Sequence, residues 1–166
     1  GYDLLEAKGK VLGIWLDENE TEQATNEHEY LIALDQTPFY AESGGQVGDN
    51  GTFSFSGGDG LVLDCNKQGK IFLHTIQIKD GLIKKNDELK LSVEIDQRNS
   101  ATSHHSATHL MHAALKSVLG NHVHQKGSLL DANKLRFDFS HSKAVLKEEI
   151  HQIELMVNQY ILKNLE

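Results

Sequence analysis

Glu88-Leu-Lys-Leu-Ser-Val-Glu-Ile95 decides the fold, because the hydrophobic period changes just after it. Within this stretch apolar and polar residues alternate, the period of a strand with one covered face. From Gln97 to about Leu119 the apolar residues recur at helical spacing, and Gly120 follows as a natural C-cap. Upstream lie five more strand-like runs, at 10–16, 30–34, 51–55, 60–64 and 70–78. Gly, Asn, Asp and Lys clusters separate them, as turns would. Many short strands with frequent turns predict a small antiparallel β-barrel. Residues 17–29 are acidic and poorly periodic, and are expected to form a loop or a short exposed helix.

Downstream the element types alternate. A strand is expected from His122 to Ser128. Residues 134–141 alternate cleanly, with Leu135, Phe137 and Phe139 on one face and Arg136, Asp138 and Ser140 on the other. Residues 147–162 predict an amphipathic helix with Ile150, Ile153, Val157 and Ile161 as its apolar stripe. The expected class is α+β: a small antiparallel barrel with a glycine-rich loop over 1–93, then a two-layer helix/sheet core over 94–166.

Charge divides the chain at the same place. Residues 1–93 carry 8 Lys+Arg against 16 Asp+Glu, residues 94–166 carry 8 against 8, and eight of the ten histidines lie in the second part. The net charge of −8 argues against a basic, electrostatic nucleic-acid binder. Contact with nucleic acid is expected to be local, or assisted by other parts of a longer protein. No apolar run approaches the roughly 18 residues of a membrane span, so no membrane partner is expected. The single cysteine, Cys65, excludes an internal disulfide and fits a reducing, cytoplasmic setting. The bare Gly1 and the stop just after a helix suggest a piece of something longer.

Three stretches carry candidate chemistry. His105 and His109 are four residues apart on the predicted helix, so both imidazoles project from one side and can grip one metal ion. At roughly 100° per residue, His112 falls on the same side. Ala107, Leu110, Met111, Ala114, Leu115 and Val118 cluster opposite, so the histidines are expected to face away from the core. The second stretch, Thr37-Pro-Phe-Tyr-Ala-Glu-Ser-Gly-Gly-Gln-Val-Gly-Asp-Asn-Gly51, holds the only proline and ligand-capable Glu42, Ser43, Gln46 and Asp49. Its glycines let backbone N–H groups approach a ligand, but the spacing is not that of a dinucleotide or Walker loop. The third is Gln125-Lys-Gly-Ser128, followed by the polar strand face and His141. If the two strands pair, these groups and the His105/His109 face are expected to line one cleft.

Together these stretches resemble the editing domain of alanyl-tRNA synthetase. The resemblance spans about residues 30–165 and rests on the Thr37–Asp49 stretch, His105-Ser-Ala-Thr-His-Leu-Met-His-Ala-Ala-Leu115, and Gln125-Lys-Gly-Ser with Leu135-Arg-Phe-Asp-Phe-Ser-His141. It implies a barrel leading into an editing core of the threonyl/alanyl-tRNA synthetase type. The implied reaction is hydrolysis of serine or glycine wrongly esterified to tRNA(Ala), in a parent that ligates alanine with ATP. His105 and His109 match two zinc ligands. Thr108 and Gln125 match pocket-lining residues with the catalytic role, Gln125 as discriminator of the serine hydroxyl. Ser43, Gly44, Gly45 and Gln46 match the glycine-rich border of the pocket, and Arg136, Asp138 and His141 belong to a matching motif on the substrate side. The family completes its zinc site with a Cys-x-x-x-His element that this chain ends before reaching. Zinc is therefore expected to bind weakly here, and the isolated piece to deacylate poorly. The resemblance implies as partners the tRNA(Ala) 3′ end and the remaining synthetase domains. It leaves open whether zinc orients the substrate or activates water. It also leaves two other readings: a free-standing trans-editing deacylase, and a module that holds a tRNA terminus without catalysis.

Overall fold

The computed structural model describes residues 4–163. The chain forms two compact units. One comprises the residues up to Ser43 together with Val47–Arg98, the other Gly44–Gln46 together with the residues from Asn99 onward. The division therefore falls one turn inside the long helix. Three residues of the glycine-rich loop count with the second unit, whereas the sequence reading kept the whole loop with residues 1–93.

In the first unit the strands are β1 (Glu6–Leu16), β2 (Asn19–Glu20), β3 (Gln23–Ala24), β4 (Glu29–Leu34), β5 (Gly51–Phe55), β6 (Gly58–Gln68), β7 (Ile71–Asp80), β8 (Ile83–Lys84) and β9 (Glu88–Val93). Six of them close an antiparallel barrel in the order β1-β4-β7-β6-β5-β9, with β9 returning to β1. Closure rests on β1, which is long enough to serve two neighbours. Glu6 to Lys10 pair with β9, and from Val11 onward the strand pairs with β4, with a bulge between Val11 and Gly13. The alternation in 88–93 is realised: Leu89, Leu91 and Val93 are buried while Glu88 and Lys90 are exposed. They meet Val11, Ile14, Ile32, Phe53, Val62, Ile76 and Ile78 in one core. Residues 17–29, expected as a loop or a short helix, are mostly turn and loop, and also contribute β2 and β3, each two residues long.

A histidine sits inside this apolar core. His74 is 0% exposed, and its Nε2 lies 2.8 Å from Thr37 Oγ1. Burial pushes its imidazole from 6.5 down to about 4. The folded ring stays neutral where the unfolded ring takes up a proton, so the unfolded state binds more protons as pH falls from about 6.5 towards 4. Stability present above that window is lost within it. By the linkage relation the loss is about 3 kcal/mol. Urea unfolding across this range should show the loss in the wild type and not in His74→Gln. Equal pH dependence in both would contradict the assignment.

The second unit contains most of α1 (Ile95–Leu119), then β10 (Gln125–Leu130), β11 (Leu135–Phe139) and α2 (Lys147–Lys163). Gly120, at φ 113°, ends α1 as expected. The strand expected from His122 begins only at Gln125, because His124 N is taken by the Ser140 hydroxyl and not by a strand neighbour. Ala114, Leu115, Val123 and Ile153 form the core, with Phe137, Phe139, Met156, Val157 and Tyr160 packed on it. The stripe of α2 is thus Ile153, Met156, Val157 and Tyr160. Ile150 and Ile161, expected in it, are 46% and 54% exposed. Among the described residues no helix is long and apolar enough to cross a membrane.

Candidate functional site

Hairpin register decides which polar residues gather in the second unit. β10 and β11 pair antiparallel, Gln125 with Phe139, Gly127 with Asp138 and Ser128 with Phe137, and the skipped Lys126 forms a bulge. Residues directly opposite share a face. The extra residue therefore brings Gln125 and Ser128 onto the Phe137/Phe139 face, although they are three apart in sequence. Gln125 Nε2 accordingly donates to Ser128 Oγ at 3.2 Å. Arg136 and Asp138 fall on the opposite face, where they pair with each other at 3.2 Å and stay exposed. They do not join the cleft that the sequence reading expected. His141 Nδ1 meets His122 Nε2 at 2.8 Å.

The glycine-rich loop attaches to β10. Gly45 O accepts from Leu130 N at 2.8 Å, and Gln46 and Leu130 form a parallel bridge. Ser128 Oγ reaches Gly44 O at 3.4 Å. Gly45 has φ +82°, and a Cβ there would lie 2.2 Å from Ser128 Oγ and 2.6 Å from its carbonyl oxygen. Only glycine permits both that backbone conformation and that approach. Ser43 counts with the barrel unit, its carbonyl accepting from Tyr40 Oη. Asp49, counted among the ligand-capable loop residues, is instead buried in the barrel unit and paired with Arg98.

α1 brings its histidines to this loop. His105 Nδ1 lies 3.0 Å from Gln46 Oε1, and a Cβ on Gly44 would lie 3.9 Å from His105 Cε1. The His105 and His109 rings are 5.2 Å apart at 31°, as side chains on successive turns should be. His112 departs from the expected outward face: its ring lies 5.2 Å from Phe137 and its Nε2 is buried. A helical wheel fixes azimuth only, and Phe137 covers this turn. Thr108 is buried, and its hydroxyl donates to His104 O at 2.9 Å. His104, which the sequence reading passed over, meets Asp131 O at 2.6 Å through Nδ1. The carbonyl can only accept, so His104 carries its proton on Nδ1. Asp131 holds the hairpin turn, and the Asn133 N–H on its carboxylate keeps its pKa below the ordinary value. Ser128, quoted in the Gln125–Ser128 stretch but given no role of its own there, is brought to the site by a bulge that leaves no mark in hydrophobic pattern.

The second unit thus gathers His105, His109, Gly44, Gly45, Gln46, Ser128 and Gln125. Two imidazoles suit a zinc ion, but among the described residues no group of three or more His, Cys, Asp or Glu is placed to hold a metal. As ligands the pair is half a tetrahedral site.

The family model for class II (A) tRNA synthetases matches residues 1–98. The chain belongs to that family. It is also 50% identical over 165 residues to an alanine–tRNA ligase of Thermoanaerobacter sp. (strain X514), and 48% identical over 164 residues to one of Francisella tularensis subsp. novicida (strain U112). Each match covers 99% of this chain and 19% of the relative, so the chain spans about a fifth of the curated relatives' length. The residues matched by the family model take in the six-stranded barrel and the first residues of α1.

Proposed function

We propose that this chain is the editing portion of a cytoplasmic alanine–tRNA ligase, hydrolysing the ester of serine or glycine mischarged on tRNA(Ala). The parent ligates alanine to tRNA(Ala) with ATP, and the other synthetase domains and the tRNA 3′ end are its partners. One observation carries the reading: the His105/His109 pair, the Gly44–Gln46 loop and Gln125 with Ser128 lie together in one unit. Binding physics supplies the need. A pocket that accepts alanine cannot exclude glycine, and rejects serine's added hydroxyl by only about a hundredfold, so a second site must remove the errors.

In this reading the loop borders the aminoacyl ester, and Gln125 supplies the amide that tells a serine hydroxyl from a methyl group. Thr108 lines the pocket at the turn between the two imidazoles. His105 and His109 would hold a zinc ion, with further ligands from elsewhere in the parent. When bound, zinc supplies Lewis acidity for the ester carbonyl or its attacking water, or an anchor for the substrate amino group.

The test is deacylation of Ser-tRNA(Ala) and Gly-tRNA(Ala) by this chain and by the intact parent. Strong hydrolysis by the parent and little by the chain is the expected result. No hydrolysis by either would overturn the editing role, and rapid hydrolysis by the chain stripped of zinc would overturn the role of His105 and His109.

A further inference from the structure

Gln46 lies at 0% exposure, yet a glutamine side chain has no apolar reason to be there. Its backbone is fixed first. The Gln46–Leu130 bridge and the bond from Leu130 N to Gly45 O hold it on β10, and Leu130 is itself 1% exposed. The side chain then presents Oε1 to His105 Nδ1 at 3.0 Å. We infer that Gln46 is a positioning residue for His105: its amide oxygen holds the ring as the Nδ1–H tautomer and leaves the Nε2 lone pair as the ligand. An amide oxygen only accepts, so Nδ1 carries the proton, and a neutral imidazole then has one lone pair left, on Nε2. Metal-ligating histidines are oriented in this way, by an acceptor on the ring nitrogen remote from the ion. His105 has such an acceptor in Gln46 Oε1. The role as ligand rests on the editing reading; the tautomer does not.

Long-range 1H–15N correlation spectra of the metal-free chain read the tautomer directly. His105 should show a protonated Nδ1 and an unprotonated Nε2, and Gln46→Glu should preserve this. Gln46→Met should mix the tautomers and weaken binding of zinc ions alone, followed by titration of the His105 resonances, by roughly 10–100-fold. A wild-type ring protonated on Nε2 would overturn the inference, since the amide would then face the other way. So would a folded Gln46→Met chain with unchanged tautomer and zinc affinity. Should Gln46→Met not fold, the wild-type and Gln46→Glu spectra still decide. Loss of the editing role in the deacylation assay would leave these spectra untouched, so the two failures are distinct.

Discussion

His105→Ala in the parent synthetase is expected to abolish hydrolysis of Ser-tRNA(Ala) while alanine charging stays intact. The His105 side chain meets three other parts of the site. Its ring is 5.2 Å from that of His109, its Nδ1 meets Gln46, and Gly44 lies against its Cε1. Truncation removes one of the two proposed zinc ligands and also takes a hydrogen-bond partner from a fully buried glutamine. The first loss should lower editing by about a hundredfold or more, equivalent to about 2.7 kcal/mol of transition-state stabilisation. The second should cost about 1–3 kcal/mol of stability in the second unit. His109→Ala separates the two, because it removes the other proposed ligand while keeping the His105–Gln46 hydrogen bond, and should impair editing with a smaller fall in melting temperature. Single-turnover deacylation, alanine charging and thermal melts of the three proteins check this. If alanine charging falls in parallel with editing, the assignment of a separate editing site fails.

Why the helix pair was legible and the rest of the site less so follows from what each depends on. The outward direction of His105 and His109 is set by 3.6-residue periodicity against a clear apolar stripe, and each ring has the other one turn away. The barrel was legible for a similar reason: residues 88–93 alternate, and alternation fixes which face is buried. Arg136 and Asp138 alternate just as cleanly, but alternation gives two faces without saying which meets the histidines. That choice depends on the bulge at Lys126, which arises from pairing and not from composition. Gly45 and Gln46 were marked by the glycines, but their attachment to Leu130 is a contact between residues 84 or more apart, beyond any local period. The stripe of α2 failed for a simpler reason. Ile150, Ile153, Val157 and Ile161 are all apolar at helical spacing, and only packing chose the side centred on Ile153 and Met156. Arg98 gave no signal at all, since an isolated arginine near a helix start ordinarily sits in solvent.

Arg98→Met should destabilise the barrel unit by about 3–5 kcal/mol, the cost of leaving a buried charge without its partner. Asp49 and Arg98 are 6% and 4% exposed. Asp49 Oδ2 accepts from Arg98 Nε at 3.0 Å, from Arg98 Nη2 and from Tyr40 N. The same guanidinium donates to Leu4 O at 2.9 Å and Pro38 O at 2.6 Å. One side chain therefore serves three acceptors, one at Leu4 and two at opposite ends of the loop between β4 and β5. A planar fork of five donors suits that task, and a lysine ammonium does not. Methionine fills much of the volume but leaves the carboxylate and two carbonyls without those donors. Removing the charge at the other end should recover part of the loss: Arg98→Met with Asp49→Asn is expected to be more stable than Arg98→Met alone, because an amide is cheaper to bury than a carboxylate. Urea unfolding of the four proteins in a double-mutant cycle gives the coupling directly. A loss below about 1 kcal/mol for Arg98→Met, the range of an exposed ion pair, would mean that the pair is effectively solvated and does not hold the barrel stretches together.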